Sequence, residues 1–242
     1  MTESHPPDAE SGARAIEEFI ESRTTPCLIL LRHGRTEWNA HGRLQGQKDS
    51  TMDSVGIGQT RLFGRLLAGV PLSGILSSDL ARCARTARVV AECNAVGPEV
   101  VVTPLLREMA LGLLEGELKQ VQSSQEASNC YQELCLDEIN FRVPDGGENL
   151  RDVYARVEMF FEETADALAV AGNHLIVGHR NVNKMIIKHW LGLSFEDGFR
   201  VEHENQRIYI FFPATKALWS CLVDDTGPTF HEGYVTSDDV YA

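Results

Sequence analysis

The chain has 242 residues, 43% of them hydrophobic and 24% charged, enough to close one substantial core at the upper end of single-domain size. Its formal net charge of −13 argues against a general binder of nucleic acid or membrane surfaces, since both are polyanions that attract Lys and Arg. A small anionic substrate stays compatible, because a pocket needs only a few local cations and distant carboxylates are screened beyond about 8 to 10 Å.

The six cysteines, Cys27, Cys83, Cys93, Cys130, Cys135 and Cys221, lack the paired spacing of zinc sites and read as free, mostly buried thiols. No metal and no cofactor is expected. No N-terminal stretch joins a basic head to an apolar run, and no apolar segment approaches the roughly 20 residues that span a bilayer. A cytoplasmic protein without membrane contact is therefore expected.

In chain order, residues 1–10 are polar and carry Pro6 and Pro7, which suits a disordered tail, and Ala15, Ile16, Phe19 and Ile20 then recur at helical spacing. Residues 1–25 read as an N-terminal extension, partly disordered, with a short docking helix and no catalytic role; one principal domain is expected over 26–242. CLILL, from Cys27, is apolar on both alternating faces and reads as a buried strand that ends at RHGRTEWN. A helix is predicted over 58–67, a strand at GILSS (74–78), a helix over 79–91 capped by the serines before it, and a strand at VVV (100–102). The polar, aperiodic stretch at about 115–144 reads as an insertion, with Tyr131, Leu134, Cys135 and Ile139 on one side of a short helix. A long amphipathic helix over 149–170, a strand at HLIVG (174–178), a helix over 182–191 ended by Gly192, and a hairpin of RIYIFF and ALWSCLV complete the chain. Strands alternating with helices predict an α/β fold, a three-layer sandwich with a mainly parallel central sheet flanked by helices and late antiparallel strands at one edge.

His33 lies just beyond the strand CLILL and His179 just beyond HLIVG. Ligands of open α/β sheets bind outside the carboxyl ends of the strands, so two such termini can meet in one crevice. At RHGRTEWN, and then in order at SSDLARCARTA, LREMALGLLEG, PDGGE and IVGHRNVNK, the chain resembles the histidine phosphatase superfamily, which includes the cofactor-dependent phosphoglycerate mutases. The resemblance runs from residue 27 to about 223 and implies the phosphoglycerate mutase-like fold.

By this resemblance His33 is the nucleophile that takes up the phosphoryl group, with its second ring nitrogen held as a donor to fix the tautomer. Gly34 is expected to permit a tight turn beside it. Arg32 and Arg82 are each expected to grip phosphate oxygens through two N–H groups, and Asn39 to add an uncharged donor. His179 is implied as the second histidine, donating to an equatorial oxygen. Glu108 is implied as the proton donor to the leaving alkoxide, a role favoured by a phosphate dianion beside it, and afterwards as the base that activates water. Gln45 and Gly46, with the insertion, are expected to frame the leaving group. Six acidic residues of the insertion, Glu115, Glu117, Glu126, Glu133, Asp137 and Glu138, against one lysine, Lys119, are expected to disfavour polyanionic substrates.

The chain departs from the family pattern at Arg180, where glycine is usual; its side chain is either an extra cation for a substrate carboxylate or second phosphate, or a surface arginine. TMDSVG also replaces a Pro-Leu-Thr turn, and LLEGEL lacks an aromatic residue before Glu-Gly. Three functions fit: a phosphomonoesterase of the histidine acid phosphatase type acting without metal on a small phosphorylated metabolite, a phosphoglycerate-type mutase, or a silent binding module. Hydrolysis is favoured, because 71 positions separate Glu108 from His179, a span that resembles the phosphatase branch more than the mutases with their longer insertion. A homodimer is left open.

Overall fold

The computed structural model describes residues 9–169, 171–224 and 227–240. In chain order its elements are α1 (Ala9–Glu21), β1 (Leu28–Arg32), α2 (Glu37–Ala40), α3 (Ser54–Leu66), β2 (Leu72–Ser78), α4 (Ala81–Cys93), β3 (Val100–Thr103), α5 (Gln125–Leu136), α6 (Leu150–Glu163), α7 (Ala165–Ala169), β4 (Asn173–Gly178), α8 (Arg180–Leu191), α9 (Phe195–Arg200), β5 (Arg207–Phe212), β6 (Ala217–Asp224), β7 (Gly227–Glu232) and α10 (Ser237–Val240). The strands form one sheet in the order β3-β2-β4-β1-β5-β6-β7. Its first four members pair in parallel, and β5, β6 and β7 continue it antiparallel.

The two-sided apolarity of CLILL follows from cover on both faces. Leu28 and Leu30 of β1 pack with α6, α8 and the insertion helix α5, whereas Ile29 and Leu31 pack with α1, α3 and α4. The same alternation divides β5, with Tyr209 and Phe211 on the first side and Ile208, Ile210 and Phe212 on the second. Each such side chain, taken fully from water, contributes about 1.5–3 kcal/mol, so the central strands hold the three layers together.

Several boundaries differ from the sequence reading for local reasons. The helix predicted from 58 begins at Ser54, because Asp53 caps it through a 2.8 Å bond from Gly56 N, and two glycines in SVGIG hide that first turn. The helix expected over 149–170 is interrupted at Thr164, whose N–H and hydroxyl both turn back to the Phe160 carbonyl; Val170 lies outside the described residues. The start of α4 carries no side-chain cap from the serines: Ser78 Oγ accepts from Leu80 N at 3.3 Å but also faces His179. β7 escaped prediction because Gly227 and Pro228 resemble a loop, yet an edge strand tolerates proline. In the extension, α1 docks with Ile16 and Ile20 buried and Phe19 stacked on Phe230 of β7 at 4.2 Å; residues 1–8 lie outside the described residues.

Candidate active site

The pairing of β1 with β4 in parallel, with Arg32 opposite Gly178, brings His33 and His179 side by side at the carboxyl ends of neighbouring strands. Their ring centroids are 5.0 Å apart, and His33 N–H donates to the Gly178 carbonyl at 3.2 Å. His33 Nδ1 lies 2.8 Å from the Gly34 carbonyl, which makes it the protonated nitrogen, and Nε2 has no hydrogen-bond partner among the described residues. Burial, followed by the positive charges of Arg82 and Arg32, holds the imidazole well below its ordinary pKa, so the ring is neutral and Nε2 keeps its lone pair.

Gly34 is required for a reason other than the expected turn. Its backbone is not left-handed; instead, a Cβ there would stand 2.4 Å from the Gly56 carbonyl oxygen and 2.6 Å from Thr60 Oγ1. The segment that carries His33 is thus seated directly on the first turn of α3. Backbone contact, not backbone conformation, excludes a side chain.

The two arginines are not equivalent. Arg32 Nη1 donates to the His203 carbonyl at 3.1 Å, while its Nε is buried without a partner, so an edge of the guanidinium is left for an anion. Burial and the neighbouring Arg180 lower its pKa to about 10, still charged at neutral pH. Arg82, on the first turn of α4, is largely committed: Nη1 donates to Lys48 O at 2.9 Å and Asp49 Oδ1 at 3.0 Å, Nη2 to Gly46 O at 2.7 Å, and Nε to His179 Nδ1 at 3.2 Å. One Nη2 proton is left over, which corrects the expectation of a two-pronged grip.

His179 also departs from expectation. It is fully buried, its Nδ1 accepts from Arg82, and its Nε2–H donates to Ser78 Oγ at 3.0 Å, with Cys83 Sγ 3.3 Å away. Both nitrogens are therefore committed to protein groups, and the expected donation to a phosphate oxygen is not made from this geometry. In this arrangement His179 packs against His33 and orients Arg82. Burial and Arg82 hold its pKa well below the ordinary value.

These residues open onto a cavity of about 190 Å³ lined by Arg32, His33, Asn39, Gln45, Gly46, Arg82, Glu108 and Arg180, which brings together eight of the nine expected site residues and leaves His179 behind the wall. Asn39 is set by the capping box of α2, its Oδ1 3.2 Å from Thr36 N, and Gln45 meets Thr36 Oγ1 at 3.0 Å. Gly46 takes a left-handed φ of 54°, and a Cβ would stand 2.3 Å from Glu115 Oε1. Glu108 Oε1 accepts from Met109 N at 2.8 Å and, with Oε2, from Asn181 N at 3.2 and 3.3 Å, so the first turn of α8 holds the carboxyl in the cavity it shares with His33.

The cavity also contains side chains that the motifs did not single out, among them Arg43, Asn181 and Tyr131. Asn181 joins two carboxyls, since its Nδ2 donates to Glu138 Oε1 at 2.9 Å while its N–H serves Glu108. Of the six acidic residues of the insertion only Glu138 lines the cavity, and burial raises its pKa; Lys119 of the same segment lines it too. Glu117 is bound to Ser123, and Glu115 holds the backbone at Gln47 and Leu111. The acidic count of the insertion therefore does not translate into a repulsive pocket. The place of Asn181 two residues after His179 was the one available signal for its role; Glu138 carried none. Among the described residues no group of three or more His, Cys, Asp and Glu side chains could hold a metal ion, and no helix is long and apolar enough to cross a membrane.

The model of the histidine phosphatase superfamily, branch 1, matches residues 28–221. The chain belongs to this family. Among curated relatives, the probable phosphoglycerate mutase GpmB of Serratia proteamaculans is 35% identical over 166 residues, 69% of this chain and 75% of that protein. The probable phosphoglycerate mutase GpmB of Escherichia coli O1:K1 is 32% identical over 167 residues, with the same shares covered. Among solved structures, a putative α-ribazole-5′-P phosphatase of E. coli K-12 superposes with a TM-score of 0.69 at 24% identity, over 88% of this chain and 97% of that one. The α-ribazole phosphatase of Shigella flexneri gives 0.66 at 26% identity, over 85% and 95%. A mycobacterial glucosyl-3-phosphoglycerate phosphatase solved with VO3 gives 0.67 at 24%, over 88% and 99%. The protein is thus an enzyme of the histidine phosphatase type with the three-layer fold expected of it.

Proposed function

We propose that this histidine phosphatase hydrolyses a small phosphomonoester through a phosphohistidine on His33. The observation that carries this is the state of His33: a buried neutral imidazole, its Nδ1–H tied to the Gly34 carbonyl and its Nε2 unpartnered, in a cavity shared with Arg32, Arg82 and Glu108. The phosphoryl oxygens bind the Arg32 edge, the remaining Arg82 proton and the Asn39 amide. Nε2 attacks phosphorus as the ester P–O bond breaks, and Glu108 delivers a proton to the departing oxygen. The Glu108 carboxylate then takes a proton from water, whose oxygen attacks phosphorus; the N–P bond breaks, inorganic phosphate leaves and neutral His33 is restored. The cavity of about 190 Å³ lies below the roughly 300–1,000 Å³ of drug-sized ligand sites, which favours a small leaving group.

The curated relatives favour a second reading, phosphoryl transfer between positions of a phosphoglycerate. The two separate in one assay. Purified protein is expected to release inorganic phosphate from small monoesters faster than it interconverts phosphoglycerates, and His33→Ala is expected to abolish that release. Interconversion as the dominant reaction would overturn hydrolysis, and unchanged release by the variant would remove His33 from the mechanism.

A further inference from the structure

Resting on the hydrolase reading above, we propose that Arg180, held in place by Glu202, binds a second anionic group on the leaving-group side, so that the preferred esters are those whose alcohol carries its own carboxylate or phosphate. Arg180 begins α8 directly after His179 and lines the cavity with a side chain 37% exposed. It is not a loose surface arginine. Nε donates to Glu202 Oε2 at 3.2 Å and Nη2 to Oε1 at 2.5 Å, a two-point clamp along one edge of the guanidinium. Nη1 has no hydrogen-bond partner among the described residues.

The clamp is itself fixed. Glu202 is buried, its N–H donates to the Val235 carbonyl at 2.8 Å, and its own carbonyl accepts from Tyr209 Oη at 2.6 Å. Lys184 Nζ stands 3.8 Å from its carboxylate and is anchored at 2.6 Å to the Phe199 carbonyl. A cation set in this way loses little conformational freedom when it meets a ligand, and a planar guanidinium suits a carboxylate or phosphate better than an ammonium does.

The rest of the cavity leaves the same space for an anion. Lys119 lines the wall with its ammonium free of hydrogen bonds and ion pairs among the described residues, and Arg180 is among the charges that disfavour its protonated form. Glu138, the remaining carboxyl of the wall, is bonded to Asn181 and not to either cation. Burial raises its pKa, which weakens it as a counter-ion. Glu138 acts on both cations through space but is hydrogen-bonded to neither, so Arg180 Nη1 and the Lys119 ammonium keep donors for a ligand that brings an anionic group.

The test compares phosphate release from three esters with matched primary leaving groups: n-propyl phosphate, 3-phosphooxypropanoate and 1,3-propanediol bisphosphate. Wild-type kcat/KM for at least one anionic ester is expected to exceed that for n-propyl phosphate by about tenfold, the worth of one charge-assisted contact. Whichever of the two is preferred identifies the anion as carboxylate or phosphate. Arg180→Met is expected to remove the preference through KM, lowering kcat/KM for the preferred anionic ester about tenfold more than for n-propyl phosphate; Arg180→Lys should retain part of it. Glu202→Gln, which keeps the shape but weakens the clamp, should lose part of it, and thermal unfolding checks that each variant is folded. No preference in the wild type, or an equal loss of kcat on all three esters, overturns the assignment while leaving hydrolysis standing. Absence of release from every ester by the wild type overturns both.

Discussion

Replacing Gly34 with alanine puts a methyl group where α3 already stands. The new Cβ would lie 2.4 Å from the Gly56 carbonyl oxygen and 2.6 Å from Thr60 Oγ1. Thr60 can rotate, but Gly56 cannot yield, since its own α-carbon is pressed against Arg35: a Cβ on Gly56 would stand 1.9 Å from the Arg35 carbonyl oxygen. Relief to the 3.0 Å that real Cβ contacts require means withdrawing the segment after β1 by about 0.6 Å. Overpacking of this kind costs about 1–3 kcal/mol, which at roughly 2–4 °C per kcal/mol for a domain of this size lowers Tm by about 2–12 °C. The same shift moves His33, whose Nδ1 is bonded to the Gly34 carbonyl. Misplacement by about 1 Å can cost on the order of 10²-fold in rate, so a loss of about tenfold in kcat is expected here. Gly58→Ala is the control: nothing lies within 4 Å of its Cβ position in α3, and the change should stabilise by about 0.5–1 kcal/mol. Thermal unfolding and phosphate release from phenyl phosphate measure both effects. A Gly34→Ala protein that melts within about 1 °C of wild type at full kcat would refute the packing argument.

Two further predictions follow from the site. Glu108→Gln should lower kcat by roughly 10²- to 10⁴-fold on n-propyl phosphate but far less on 4-nitrophenyl phosphate, whose phenolate leaves without a proton; equal losses would show that Glu108 is not the proton donor. The buried, neutral histidines should make the fold acid-sensitive. His203, whose pKa burial lowers to about 3, titrates near 6.5 once unfolded, so between these values the unfolded chain binds the extra proton and stability falls as pH falls, by up to about 1.4 kcal/mol per pH unit. Urea unfolding at pH 7 and pH 5 should therefore show His203→Gln losing about 2 kcal/mol less than wild type, and equal losses would exclude this residue as a source of the slope.

How much could be read in advance depended on how local the cause was. The helix α1 announced itself through Ile16, Phe19 and Ile20, and the insertion helix α5 through Tyr131, Leu134 and Cys135, because burial repeats along a helix at a spacing that adjacent residues record. β7 did not, since an edge strand with one exposed face can carry Gly227, Pro228 and Glu232. In the site, His33, Arg32 and Gly34 are consecutive and were recognisable together. Asn181 and Glu138 were not, because one acts through its N–H and the other comes from a segment 43 positions away.

The sequence by itself determined the layered fold, the position of His33 after the first strand, and which residue types gather at the carboxyl ends of β1 and β4. Only the tertiary structure decided what each side chain does with its hydrogen bonds. Arg82 spends most of its donors on Gly46, Lys48, Asp49 and His179, leaving one N–H uncommitted, and Arg180 faces Glu202, 22 residues further on. Arg32 is oriented by the carbonyl of His203, 171 positions away. The physical reason is the same in each case. Alternation along a strand records which faces are buried, whereas a hydrogen-bond partner depends on which distant segments the sheet order brings within about 3 Å.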